Sequence, residues 1–314
     1  MGMFLFLLCA FRPGDSVNDY AAYVEMYKNT FKWNIEFSFT IIAWLVKHIL
    51  GDNILFLFII YAILGITIKF VAIRELTTLY FLSLAIYISD IYILHELTQI
   101  RVGVAAGFML LCIKPIYEKN WGKFLVFSTC AIFFHTSALL ILPLWFLTSH
   151  SINKYVYASI IPIGYIFYFS QINLVEMAIS LIPIDYIHQK FEFYKHIQQN
   201  TKKFNEINVF NYVFLAKISI YYLLLWKERL LSRYNRYVVI LLKIQAIALT
   251  SFVFFASMPT FSFRITELLG IVEIVTIPMM IYIIKPKWVG KICVVGVAFI
   301  VLLINIFYVG LIIR

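Results

Sequence analysis

Residues Gln99–Trp145 read QIRVGVAAGFMLLCIKPIYEKNWGKFLVFSTCAIFFHTSALLILPLW, two apolar segments joined by a short charged turn. Arg101 opens the first segment and His135 lies deep inside the second. The side chains after Arg101 are small at Gly103, Ala105, Ala106 and Gly107, and the two glycines form a small-xxx-small ridge along which another helix backbone can approach closely. A charge is costly in such surroundings. Ionisable groups in apolar segments therefore face a cavity, a partner or a polar pathway, and each is a site candidate by default. The competing roles are an arginine that snorkels to the interface and a histidine hydrogen-bonded between helices.

The rest of the chain is of the same kind. Of its 314 residues 63% are hydrophobic and only 13% charged, and the mean hydropathy is +0.90. This is the composition of an all-α polytopic integral membrane protein and excludes an ordinary soluble enzyme. One transmembrane domain, 1–314, is expected, with about 10–12 transmembrane or re-entrant helices. The formal net charge of +10 does not point to nucleic acid, because the basic residues sit in short clusters between apolar runs, as sidedness in a membrane requires. Cys9, Cys112, Cys130 and Cys293 lie in apolar runs without metal-ligand or redox spacing. No metal, cofactor or disulfide framework is expected.

In chain order, Met3–Phe11 is too short to span a bilayer and reads as a short helix or the end of a longer one. A signal peptide is the competing reading, but no basic region precedes the run and no small-residue cleavage site follows it. The segment 12–36 is polar and rich in tyrosine, an ordered outer loop in which Tyr20, Tyr23 and Tyr27 share a face if the loop is helical. Phe37–Leu50 is again short, which suits a re-entrant or interfacial helix. Asn53–Phe70, Thr77–Leu94 and Ile100–Ile113 are spanning candidates, with the polar HELTQIR (95–101) before the last of them. Gly122–Leu147 contains Pro143, which breaks a backbone bond and leaves open one kinked span or a broken pair. Beyond it the most polar stretch, 185–211, is a second outer loop, followed by Tyr212–Trp226, Tyr237–Ala256, Ile265–Ile284 and Trp288–Ile313.

Assigning the basic turns at Lys69/Arg74, Lys114–Lys123, Lys227–Arg236 and Lys285–Lys291 to the inner side places 12–36, HELTQIR, 185–211 and SMPTFSFR (257–264) outside. Measured from Trp121, His135 stands about 21 Å up a straight helix, in the outer half. Arg101, His135 and Arg264 are thus expected to face one outer cavity.

IRVGVAAGF, a basic turn and FFHTSALLILP, with FRPGDSVNDYAAYVEMY and Glu36 before them and FRITELL (263–269) after, resemble the EpsG/Wzy family of bacterial polysaccharide polymerases. The order of these motifs carries the resemblance over most of the chain. It implies a membrane glycosyltransferase that joins polyprenyl-diphosphate-linked oligosaccharide repeat units into O-antigen, capsule or exopolysaccharide. The work would be done at the outer face of the cytoplasmic membrane, beside a flippase and a chain-length regulator. A sugar leaving its lipid diphosphate develops charge on the leaving oxygens, and the planar guanidinium of Arg101 and of Arg264 suits that charge. The acceptor hydroxyl must lose a proton, for which His135 is the family-matched base. Arg12, Asp15, Asp19, Glu36, His95 and Glu267 are the candidate substrate-binding residues on the same face. Structural roles compete with these: Arg264 can pair with Glu267, Arg101 with Glu96, and Asp15 and Asp19 can shape a turn. Glu176 and Glu273, within apolar runs, are taken as structural. A transporter or flippase for lipid-linked sugars and a membrane acyltransferase are the alternative functions, the former weakened by the lack of an inverted repeat.

Overall fold

The computed structural model describes residues 2–12, 14, 17, 19–30, 36–170 and 207–310. Asp15, Glu176 and most of the 185–211 loop lie outside the described residues. Within them every regular element is helical. In order these are α1 (Gly2–Ala10), α2 (Tyr20–Lys28), α3 (Phe37–Ile49), α4 (Ile54–Leu76), α5 (Tyr80–Thr98), α6 (Ile100–Glu118) and α7 (Trp121–Phe134). A 3-10 helix, Thr136–Phe146, follows, then α8 (Lys154–Ser170), α9 (Tyr212–Trp226), the single turn Glu228–Leu231, α10 (Val238–Phe254), α11 (Pro259–Gly270), the short helical stretch Glu273–Tyr282 and α12 (Lys287–Tyr308). The chain is an all-helical, multi-pass membrane protein. Four described helices, α4, α5, α6 and α12, are long and apolar enough to cross a bilayer, and α11 with Glu273–Tyr282, bent by 41°, makes a fifth. The remaining apolar helices, among them α3, α7, α9 and α10, are shorter.

The decisive geometry follows from one corner. Lys119 takes the left-handed conformation (φ 53°) that ends α6, and the Asn120 side chain accepts from the Lys123 amide to start α7. A two-residue corner of this kind sends α7 back antiparallel along α6. α7 then stops at His135, whose backbone is extended (φ −154°, ψ 126°), and the chain continues as the 3-10 helix. Fourteen α-helical residues rise about 21 Å and eleven 3-10 residues descend about 22 Å, so the two arms match in length. Trp145 accordingly returns to Trp121 and Phe124, with ring centres 5.0 and 5.1 Å apart. The Lys119 ammonium donates to the Trp145 and Leu147 carbonyls at 3.0 and 2.9 Å. Gly122–Leu147 is therefore a helical hairpin with His135 at its tip, which resolves the choice that Pro143 left open.

The basic turns gather at the opposite end. Lys114 pairs with Glu75 at 2.5 Å, Arg236 lies 3.8 Å from Glu118, and the Asn235 amide donates to the Leu76 carbonyl at 2.7 Å. Tyr234 stacks on Tyr282, bringing the Lys285 turn to the same end. Lys69 is a correction to the expected inner set. It is fully buried within α4 and ion-paired with Glu96, because a charge this deep is tolerable only against an opposite one. HELTQIR is also not an open loop. His95–Thr98 prolong α5 with π-type bonding, and His95 and Glu96 are fully buried.

Candidate functional site

The first turn of α6 is set by the tight corner at Gln99, whose carbonyl accepts from the Gly103 amide at 2.9 Å. A Cβ on Gly103 would stand 3.0 Å from the His95 carbonyl oxygen, so a larger residue would press α5 and α6 apart. Gly107 plays the same part against Ile68 of α4, where a Cβ would meet Cγ2 at 2.8 Å. The ridge read in the sequence thus serves two helix contacts, and it carries Arg101 to the end of the bundle away from the basic turns.

Glu36 arrives from the other side, at the N-cap of α3. One carboxylate oxygen receives Arg101 Nη1, and the other lies 2.8 Å from Nδ1 of His135 at the hairpin tip. The three side chains are 9–16% exposed. Burial pushes the Glu36 carboxyl up, but the hydrogen bond from His135 and the charge of Arg101 outweigh it and hold the group down at about 2. An ionised Glu36 can only accept, so Nδ1 of His135 is the donor between them. Nε2 is buried and has no partner among the described residues, and the same is true of Arg101 Nε. Tyr23 and Phe39 hold the guanidinium by their faces, with ring centres 5.7 and 5.8 Å from Cζ.

α11 closes the site. Pro259 sits in its first turn, Ser262 Oγ ties it to the Phe252 carbonyl of α10 at 2.8 Å, and Thr260, Arg264 and Glu267 follow at i, i+4 and i+7 on one face. That face, Asp19, Tyr23, Gln99, Arg101 and His135 line a cavity of about 380 Å³. Two arginines, a histidine with an unpaired ring nitrogen among the described residues and the carboxylates of Asp19 and Glu267 are the chemistry that suits an anionic, hydroxyl-bearing molecule.

The EpsG family model matches residues 1–312. The chain belongs to the EpsG family. The family is associated with polysaccharide polymerisation, and this EpsG-family member is accordingly a polysaccharide-polymerase-type membrane protein. Searches of curated proteins and of solved structures find no match to it.

In this EpsG-family chain Arg101, His135 and Arg264, three residues far apart in sequence, face one cavity, and Asp19 and Glu267 line it with them. Glu36 does not line the cavity but grips two residues that do. Arg101 pairs with Glu36 and not with Glu96, which Lys69 takes. Arg12 and His95 are directed elsewhere. Arg12 is buried, donates to the Leu97 carbonyl at 2.5 Å and lies 4.4 Å over the Phe58 ring, bracing the α5 end against α4. His95 is sealed behind Gly103, with neither ring nitrogen hydrogen-bonded among the described residues. Of the tyrosine face expected in the first loop, α2 forms, but Tyr23 and Tyr27 are buried and only Tyr23 reaches the cavity. Gln99 and Thr260 are lining residues that sequence reasoning passed over. Their signal was their place beside Arg101 and in SMPTFSFR, polar residues next to an arginine at the mouth of an apolar helix.

Proposed function

We propose that this protein is a glycosyltransferase that polymerises polyprenyl-diphosphate-linked oligosaccharide units at the outer face of the cytoplasmic membrane, with Arg101, Arg264 and His135 as its catalytic residues. The observation that carries the reading is Glu36, whose single carboxylate engages both Arg101 and His135 at the edge of the cavity that Arg264 also faces. Such an arrangement fixes a phosphate-binding fork and a base in mutual register. The donor's diphosphate lies between the two guanidinium groups, which stabilise the charge gathering on it as the bond from its oxygen to the anomeric carbon breaks. The acceptor hydroxyl attacks that carbon and passes its proton to Nε2 of His135, while Glu36 holds the ring in the accepting tautomer and stabilises the imidazolium that forms. The new glycosidic bond replaces the bond to phosphate, and the lipid diphosphate departs. Asp19 and Glu267 offer acceptors for sugar hydroxyls. The gathering of the basic turns at the far end supports an outward-facing cavity, in keeping with action after a flippase and beside a chain-length regulator.

The test is reconstitution. Purified protein in liposomes given lipid-linked repeat units is expected to make a ladder of longer chains. Lipid-linked units that cross the bilayer without any chain growth would overturn this reading in favour of a transporter.

A further inference from the structure

A second, larger cavity of about 890 Å³ lies on the other side of α11. Phe263 lines both cavities, while Thr266, one helical turn on, faces only the larger one. The opposite walls come from the start of α9 and the end of α12, where Asn208, Phe210, Tyr212, Asn305 and Tyr308 stand. Its chemistry differs from that of the arginine cavity. The cation on its wall, Lys217, is held by Glu273 at 2.8 Å and by Asp90 at 3.2 Å, so no net positive charge is offered to a phosphate there. What is offered is chiefly aromatic surface, since the Asn208 and Asn211 side-chain oxygens already accept from the Phe210 and Phe214 amides. Tyr212 and Tyr308 are 91% and 88% exposed, and Asn305 spends its Nδ2 on the Ser89 carbonyl and Asp90. Exposed aromatic faces without a free cation among the described residues suit neutral sugar rings, which stack on them.

The arginine cavity is near the lower end of the size range for ligand sites and the second near its upper end. A diphosphate and the sugar it activates would fill the first. Resting on the polymerase reading above, we propose that the larger cavity is the acceptor site. It holds the carbohydrate of the molecule that supplies the hydroxyl, which passes Phe263 to reach His135. No step is added to the reaction: the hydroxyl oxygen bonds to the anomeric carbon, its proton goes to Nε2, and the diphosphate leaves from the other cavity.

The probe is the free oligosaccharide released by mild acid from the cell's own lipid-linked unit, which keeps the accepting hydroxyls and lacks the diphosphate. Its binding to protein in nanodiscs is measured by saturation-transfer NMR, beside the binding of polyprenyl diphosphate. Thr266→Trp, which fills the larger cavity, should weaken the oligosaccharide at least tenfold and raise its half-saturating concentration as acceptor by a similar factor. Polyprenyl diphosphate binding should be unchanged. Arg264→Lys should do the reverse. Tyr308→Ala, at an exposed ring, should weaken the oligosaccharide several-fold even if the Trp variant does not fold. Oligosaccharide binding that is untouched by both cavity variants, or native mass spectrometry finding that they displace only a phospholipid, overturns the assignment. Binding that needs Thr266 and Tyr308 in a protein that elongates nothing would keep the carbohydrate site and sink the polymerase reading instead.

Discussion

Two ion pairs flank the Gln99 corner, one on each side, and they could hardly be put to more different use. Lys69 and Glu96 are 0% and 1% exposed and are tied to further groups as well as to each other. Lys69 also donates to the Gly103 carbonyl at 2.6 Å, and Glu96 accepts from Tyr87 at 3.1 Å. Gly65 leaves room for it, since a Cβ there would overlap the Glu96 carboxylate. The pair of Arg101 and Glu36 opens on a cavity, includes a histidine, and leaves Arg101 Nε and His135 Nε2 without partners among the described residues. Inside a helical bundle, a saturated pair welds helices together. An unsaturated one beside a cavity has donors and acceptors left for a substrate.

The largest effect should come from unbalancing the saturated pair. Lys69→Met leaves a carboxylate buried alone, which typically costs about 3–5 kcal/mol, and should prevent the protein from accumulating in a folded state, as read by fluorescence-detected size exclusion. Lys69→Met combined with Glu96→Gln should recover most of the loss. If the single variant is as stable as the parent, the contrast between the two pairs fails.

Next are the guanidinium groups. Arg101→Lys and Arg264→Lys keep the charge and lose the fork, so each should fold normally yet lower the rate of chain growth about 100- to 1,000-fold. Growth near the parental rate in a well-folded Lys variant would remove that arginine from the clamp. Glu36→Gln should cost about 100-fold by loosening the base, with the substrate still bound. It should also change an acid response. Because the folded carboxyl is held at about 2, below its usual 4.5, its ion pair contributes full stability above pH 4.5 and loses it as the pH falls from there toward 2. Thermal unfolding of the parent should fall through that window, and Glu36→Gln should flatten the fall. An unchanged acid limb in the variant would mean that another carboxylate governs it.

The smallest effect is purely topological. Arg233→Cys, on an exposed basic turn, should leave activity intact and react with an impermeant maleimide in spheroplasts only after lysis. Labelling of intact spheroplasts would reverse the orientation and put the cavity on the inner side.

Much of this was legible in the sequence because charge in an apolar run is rare and costly. Arg101 and His135 stood out by that cost, Arg264 by the FRITELL stretch it shares with the family, and basic clustering gave the end of the bundle to which they belong. Partners were not legible. Lys69 looks like the start of a basic turn, and only the packing of α4 against α5 turns it inward to Glu96. Glu36 is one of several acids in a polar stretch, and nothing local says that α3 will bring it to His135. The hairpin was hidden for a different reason: 3-10 and α-helices share the same apolar composition, and the rise per residue that makes the arms match is a property of the backbone.

The hairpin also bears on how the chain is threaded into its membrane. Since Trp121–Phe134 and Thr136–Phe146 leave from and return to one end, the excursion contributes an even number of passages and cannot change the orientation of anything that follows it. A reporter fused after Leu147 should read the same compartment as one fused after Lys119, and excising the hairpin would abolish chemistry without inverting α8 to α12.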